Sequence, residues 1–370
     1  MNAFCILFTD TYDNSDNKIS ELSGKRTLAS IPFGARYRLI DFMLSALVGA
    51  SVSDIGIITK SNYGSLMDHI GSGKNWDLDR KNGGLKILTP FANETIALSD
   101  NQFDILRSVH GYIDSMLEEY CIIADSNLVV NLDFKDMFAK HTANGADITV
   151  LCRDALEKPG DIELKMNEDG KVQDIMMHTG GSDTEKTVAL NVFILKKSLL
   201  CDLIDWGVTY GWKDFGKDVI SKKFCELNIF GYKHNGYCEL IDSLEVYLKS
   251  NLEMLNPKTR TDIFKSDQPI LTRIKDSVPT KYGDNAEVNN SYIADGCIID
   301  GKVENSIIFR NVKVEKGTSI KNSIVMQNTI IEENASLNCV IADKNVRIRE
   351  NKTLSGCDTL PLIINKGKIV

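Results

Sequence analysis

The stretch Asn290-Ser291-Tyr292-Ile293 returns as Asn305-Ser306-Ile307-Ile308, Asn322-Ser323-Ile324-Val325 and Asn338-Cys339-Val340-Ile341, at intervals of 15, 17 and 16 residues. Across these units an aliphatic residue falls every five or six positions, at Ile293, Ile298, Val303, Ile308, Val314, Ile320, Val325 and Ile330. Short strands joined by corners, three to a coil, have this period, and each coil buries its aliphatics against the coil above it. The repeat therefore decides the fold of the C-terminal part, residues 281–370.

The pattern resembles the hexapeptide repeat of left-handed parallel β-helices, which mostly supply structure and oligomer contacts. Upstream of it, Pro257, Pro269 and Pro279 fall within 23 residues in a chain with seven prolines, which marks residues 256–280 as a linker. Residues 1–255 have another texture. Ala3–Phe8, Asp54–Thr59, Tyr120–Asp125, Ile148–Leu151 and Ala189–Leu195 are apolar runs of strand length. Between them, Phe42, Leu44, Leu47 and Val48 share one helical face, and Ile105, Val109, Tyr112, Ile113, Met116 and Leu117 share another. Such alternation predicts an α/β domain with a mostly parallel mixed sheet covered on both faces, and ligands at the carboxyl ends of its strands.

The chain of 370 residues carries 43 Lys and Arg against 51 Asp and Glu, a net charge of −8. That balance excludes a general nucleic-acid binder, though not a local basic pocket. The nine cysteines are scattered from Cys5 to Cys357 with no Cys-x-x-Cys pair, which argues against a disulfide framework or a structural zinc site and fits a reducing, cytoplasmic compartment. The N-terminus has neither the basic region of a signal peptide nor an apolar segment long enough to span a membrane. An acyltransferase acting on the β-helix would need a histidine on its coils, but none of the five histidines lies beyond residue 281.

Four segments then identify a family. They are Ile31-Pro-Phe-Gly-Ala-Arg-Tyr-Arg-Leu-Ile-Asp-Phe42, Ser65-Leu-Met-Asp-His-Ile70 with Trp76, Asp214-Phe-Gly-Lys-Asp218, and Ser243-Leu-Glu-Val-Tyr-Leu-Lys-Ser-Asn-Leu252. Together they resemble glucose-1-phosphate adenylyltransferase over nearly the whole chain. The resemblance implies a Rossmann-like nucleotidyltransferase domain joined to a left-handed β-helix, and a tetramer that responds to phosphorylated metabolites. It also implies the Mg²⁺-dependent reaction of ATP with glucose 1-phosphate that yields ADP-glucose and pyrophosphate for glycogen synthesis.

That chemistry needs the triphosphate cradled by backbone N–H groups and its charge met by metal, Lys and Arg. The family's Gly-Gly-x-Gly-x-Arg-Leu loop is replaced here by Thr9-Asp-Thr-Tyr-Asp-Asn-Ser-Asp-Asn17, with no glycine before Gly24 and with Asp10, Asp13 and Asp16 set to repel phosphate. Those aspartates with Glu21 lack the spacing and central glycine of a calcium loop. In the family's Arg-Ala-Lys-Pro-Ala segment Arg26 is kept, but Leu28 stands for the lysine. The two metal-binding aspartates fall on Asn127 and Leu240, with Asp125, Glu239 and Asp242 nearby. An adenine-side motif becomes Asn101-Gln-Phe-Asp-Ile105, and the Ser-x-Gly of a following strand becomes Val188-Ala-Leu190. The sugar-side Glu-Lys-Pro is missing before Ala189, and Glu157-Lys-Pro159 lies too early to replace it.

Losing one metal ligand or phosphate-clamping lysine commonly costs on the order of 10² or more in rate. The resemblance is thus to a non-catalytic, regulatory subunit that modulates a catalytic homologue in a heterotetramer, with no metal or other cofactor of its own. The alternative is a weak enzyme whose Mg²⁺ site is rebuilt on Asp125 with Glu239 or Asp242.

In the family, positions matching Lys25, Arg26 and Arg38 contribute to an allosteric anion site between the two domains. Those three cations remain here, Arg36 is a further candidate, Pro32 replaces a histidine of that site, and Arg347 and Arg349 are possible additions. A surface or interface salt-bridge network with acidic neighbours is the competing reading of these cations. Asp41 reads as the cap of a helix, paired with Arg38 at i,i+3, and Asp214 as the cap of another. His69 and Trp76 read as organisers of the loop over the sheet, and Lys217 as a residue that could once have met substrate phosphate.

Overall fold

The structure, a computed structural model, describes residues 1–10, 19–81, 83–89, 101–156, 158–178, 180–181 and 184–370. At its centre lies a nine-stranded mixed sheet. Ala3–Phe8 runs parallel to Asp54–Ile58 on one side and to Tyr120–Asp125 on the other, and Asp54–Ile58 runs parallel to Gly84–Leu88. Glu185–Lys196 turns the order antiparallel, pairing with Tyr120–Asp125 and with Ile148–Leu156. All six residues of Ala3–Phe8 are buried, as expected of a parallel strand covered on both faces. Strands found beyond the apolar runs of the sequence are Gly84–Leu88, Ile162–Met166, Val172–Met177 and Ile229–Lys233. The middle two form a polar hairpin at the sheet edge that lacks a continuous apolar run.

Helices cover the two faces. Leu39–Gly49 is buried from Leu39 through Leu47. The apolar face read over 105–117 belongs to two short helices, Gln102–Ser108 and His110–Ser115, broken at Val109. Leu117 lies beyond them and is 97% exposed, because the chain leaves the helix at Met116 to enter the strand at Tyr120.

After Ser243 caps the helix Leu244–Glu253, Asn256 caps Pro257–Ile263, with proline at the first turn where its missing N–H is harmless. Residues 264–280 carry neither helix nor strand. Two buried bonds fasten them to the α/β domain: the Thr272 hydroxyl donates to Asp41 at 2.6 Å, and the Leu271 N–H donates to Ser45 Oγ at 2.8 Å.

From Lys281 onward, three five-stranded parallel sheets form the faces of a left-handed β-helix. Ile299, Val303, Ile308, Val314, Ile320, Val325 and Ile331 fill its interior and are fully buried. The repeated Asn-Ser pair has a physical cause. Asn290, Asn305 and Asn322 adopt positive φ (40°, 46° and 46°), which asparagine tolerates better than branched residues. The serine that follows stacks inward: Ser306 N–H donates to Ser291 Oγ, Ser323 N–H to Ser306 Oγ and Val340 N–H to Ser323 Oγ, each at 3.1 Å.

Candidate functional site

The segment 19–45 positions one wall of the site at the carboxyl ends of the sheet. Asp10 lies two residues after the first strand and accepts the Leu28 N–H at 3.1 Å, at the start of the 3-10 turn Leu28–Ser30. Burial pushes the Asp10 carboxyl above its usual range. Leu28 is 3% exposed in an apolar cluster with Ile31, Phe33 and Phe42. Asp13 and Asp16 lie outside the described residues.

Asn127 is also buried. Its Nδ2 donates to the Ile241 carbonyl at 3.0 Å, while its Oδ1 has no partner among the described residues. The strand Cys238–Leu240 pairs antiparallel with Leu128–Val130, which puts Leu240 opposite Leu128. Cys238 and Leu240 pack into the core, and Glu239 points to the other face, as strand alternation requires. There Arg153 grips it at two points: Nη1 to Oε2 at 2.9 Å and Nη2 to Oε1 at 2.8 Å. Arg153 Nη1 also donates to the Cys238 carbonyl. Lys158 Nζ meets Asp242 Oδ2 at 2.8 Å.

Two carboxylates that could have rebuilt a metal site therefore already hold protein cations. The third, Asp125, is 8% exposed and accepts from Asn191 Nδ2 at 2.8 Å. Burial pushes its carboxyl up to about 7, the Asn191 hydrogen bond opposes this, and the charge of Asp214 adds to it. Mg²⁺ requires ionised, unencumbered oxygens. These residues do not fit it. Arg153 and Lys158 were not legible as site residues, because their partners lie 86 and 84 residues away. Glu157 lies outside the described residues.

The segment 101–105 makes structural contacts. Asn101 caps Gln102–Ser108, the Gln102 side chain accepts the Phe215 N–H at 2.6 Å, and Phe103 packs edge-on against Trp212. Val188 and Leu190 are each 4% exposed, within the strand Glu185–Lys196. Asp214 caps Phe215–Lys223 by accepting the Lys217 N–H at 2.7 Å, as its spacing predicted. Asp41 is fully buried and accepts the Arg38 N–H at 3.0 Å at the start of the helix Leu39–Gly49, and it also bonds His69 Nε2 at 2.6 Å. Burial lowers the His69 pKa against the pull of Asp41. Trp76 is wholly buried beside His69.

The cations separate. Lys25 is exposed, and so is Arg36, which lines a 570 Å³ cavity with Tyr37, Phe264 and Tyr292. Arg26 is 4% exposed, and its Nη2 meets both carboxylate oxygens of Asp343 on the β-helix at 2.7 and 2.5 Å. It is thereby matched by an internal anion, as the interface salt-bridge reading of this cation has it, with Asp343 as the partner. Arg347 pairs with Glu332 at the surface. Arg38 remains half-buried, donating to the Ser65 hydroxyl at 2.9 Å.

Around Arg38 gather cations from distant segments. Its pKa is pushed down to about 10, by burial first and by Arg26 and Arg273 in addition, against Asp41 and Asp68. Burial, with repulsion from Arg273, Arg38 and Arg310, lowers Lys275. Burial, with Arg38, Arg26 and Lys366, brings Lys344 down to about 7, against Asp343. Arg38, Arg273 and Lys275 thus repel one another, as do Arg38, Arg26 and Lys344, where the α/β domain, residues 273–275 and the coil at Lys344 come together, while Arg310 Nε is held by Asp295 at 3.0 Å.

Comparison with known proteins agrees with this architecture. Residues 17–222 match the nucleotidyl transferase family, and residues 276–359 match the GlmU-like C-terminal hexapeptide family. The chain is similar to the glycogen biosynthesis protein GlgD of Bacillus subtilis (strain 168), with 35% identity over 84% of this chain and 80% of that protein. It is 35% identical to GlgD of Geobacillus stearothermophilus, over 82% and 79% of the two chains. It is also similar to the glucose-1-phosphate adenylyltransferase of Thermosipho africanus (strain TCF52B), with 30% identity over 82% and 74%. No helix among the described residues is long and apolar enough to cross a membrane. A nucleotidyltransferase fold over residues 17–222, followed by a hexapeptide β-helix, thus places this chain in the nucleotidyl transferase family, with GlgD proteins and a glucose-1-phosphate adenylyltransferase among its relatives.

Proposed function

We propose that this chain is a non-catalytic, regulatory subunit acting in glycogen biosynthesis, which assembles with a catalytic glucose-1-phosphate adenylyltransferase and alters its activity or effector response. The observation that carries this reading is the pair of internal ion bridges, Arg153–Glu239 and Lys158–Asp242, beside the Asn127 and Leu240 positions. Where the reaction needs a divalent cation held by ionised oxygens, this chain offers guanidinium and ammonium groups already neutralised by those oxygens. The GlgD relatives, named for glycogen biosynthesis, support the pathway.

The subunit keeps the family's way of sensing anions but redistributes the residues. Arg38 with Arg273, Lys275 and Lys344 is the anion site on this reading, suited to a phosphorylated metabolite, with Lys25 and Arg36 exposed on the same domain. Arg26 serves the interdomain contact instead. The cell compartment is the cytoplasm, where both substrates of the catalytic partner are available.

Mixing this protein with a catalytic homologue tests the reading. The expected result is a mixed oligomer by native mass and a changed rate or effector response. Absence of association together with unaltered kinetics overturns it.

A further inference from the structure

We propose that His110, Asp114 and Cys201 form a binding site for a borderline divalent transition-metal ion such as Zn²⁺, bridging the helices His110–Ser115 and Lys197–Tyr210. A ring nitrogen of His110, a carboxylate oxygen of Asp114 and the Cys201 sulfur all lie within 4.8 Å of one another. His110 and Asp114 are one helical turn apart on one face, and Nδ1 of the ring bonds Oδ2 of the carboxylate at 2.9 Å. Cys201 comes from the other helix, one turn after Lys197, whose ammonium donates to the Met116 carbonyl at 2.7 Å and pins the start of that helix against the end of the shorter one.

The donor set decides which ion fits. One imidazole, one carboxylate and one thiolate suit Zn²⁺ and its neighbours, whereas Mg²⁺ takes oxygen alone. Zinc bonds of roughly 2.0–2.3 Å put tetrahedral ligands about 3.5 Å apart, so modest rotamer changes close the observed spacing. Three protein ligands leave a fourth position for water. Leu200, Leu203 and Ile204 anchor the Cys201 helix in the core, while Cys201 is half-buried and the His110 and Asp114 side chains are 35% and 62% exposed, so an ion can enter. Burial first, with Asp114, Asp202 and Asp205 against the single Lys197, raises the Cys201 thiol pKa, so the metal must displace its proton, while the same carboxylates attract a cation to the site. On binding, the thiol proton leaves to solvent as the sulfur–metal bond forms. Nothing in the spacing of 110, 114 and 201 marks this site, which only the helix–helix contact assembles.

The test uses untagged full-length protein, stripped of metal with chelator and titrated with Co²⁺. One equivalent per chain is expected, with a thiolate-to-cobalt charge-transfer band that Zn²⁺ displaces, and with a raised melting temperature. Cys201→Ser should abolish the band, and His110→Ala and Asp114→Asn should each weaken binding roughly tenfold or more. Metal-free variants should melt like the parent, which separates ligand loss from misfolding. A band that survives Cys201→Ser, substoichiometric binding, or binding indifferent to His110→Ala and Asp114→Asn would overturn the assignment.

Discussion

Arg26 and Asp343, 317 residues apart in sequence, form a buried two-point ion pair that joins the α/β domain to the β-helix. The pair belongs to the same boundary as the apolar cluster in which Phe33, Tyr247 and Leu248 meet Ile307, Ile324 and Ile341. A polar link inside such a cluster fixes how the two surfaces register, because a guanidinium left without its carboxylate in that setting is strongly disfavoured.

Asp343→Ala should therefore destabilise the protein by about 3–5 kcal/mol, since it strands a buried charge. The double replacement Arg26→Met with Asp343→Leu should lie much nearer the parent. Denaturant unfolding of the two singles and the double checks this, and equal losses in the double and the single would refute it.

The purified chain should release pyrophosphate from ATP and glucose 1-phosphate at least about 10²-fold more slowly than a catalytic homologue. Asp125→Asn is informative beyond that. The folded Asp125 pKa, near 7, is raised above that of the unfolded chain, so the stability it contributes is full at roughly pH 4 and is lost as pH rises through 7. Each pH unit in that window is worth about 1.4 kcal/mol. Asp125→Asn should flatten the dependence and raise the melting temperature at pH 8. A rearranged metal site using Asp125 would show the opposite, a measurable activity destroyed by the same change.

Lys344 gives the anion site a pH signature. In the unliganded protein its pKa is pulled down to about 7, so much of it is neutral above that value, and a bound anion must draw a proton back. Affinity for a sugar bisphosphate, read by calorimetry, should fall as pH rises from 6 to 8, by up to about tenfold per unit. Lys344→Met should remove the pH dependence, and Arg38→Ala should weaken binding at every pH. A flat profile in the parent would count against the site.

Asn328 tests the corner mechanism. It holds φ at 59° and passes a side-chain ladder from Asn311 (3.2 Å) to Asn345 (3.1 Å). Asn328→Ala should cost about 1–2 kcal/mol in the left-handed conformation alone. Asn328→Gly, which adopts that conformation freely, should recover most of the loss in thermal unfolding.

Much of this was legible in the chain itself. The Asn-Ser-aliphatic repeat specified the β-helix because each unit is a local solution repeated: an asparagine turns the corner, a serine bonds the coil below and an aliphatic fills the interior. The strands Ala3–Phe8 and Tyr120–Asp125 were read to the residue, since buried parallel strands are unbroken apolar runs. That Leu28, Asn127 and Leu240 carry no charge is likewise plain in the sequence, because an uncharged side chain needs no partner to be seen. Only the tertiary structure decided where the remaining charges went. It gave Arg26 to Asp343, Arg153 to Glu239, Lys158 to Asp242 and Arg310 to Asp295, and it set Arg273, Lys275 and Lys344 near enough to Arg38 for mutual repulsion. Ion pairing has no sequence period, and the energy of a charge depends on burial and on neighbours that a distant fold of the chain supplies.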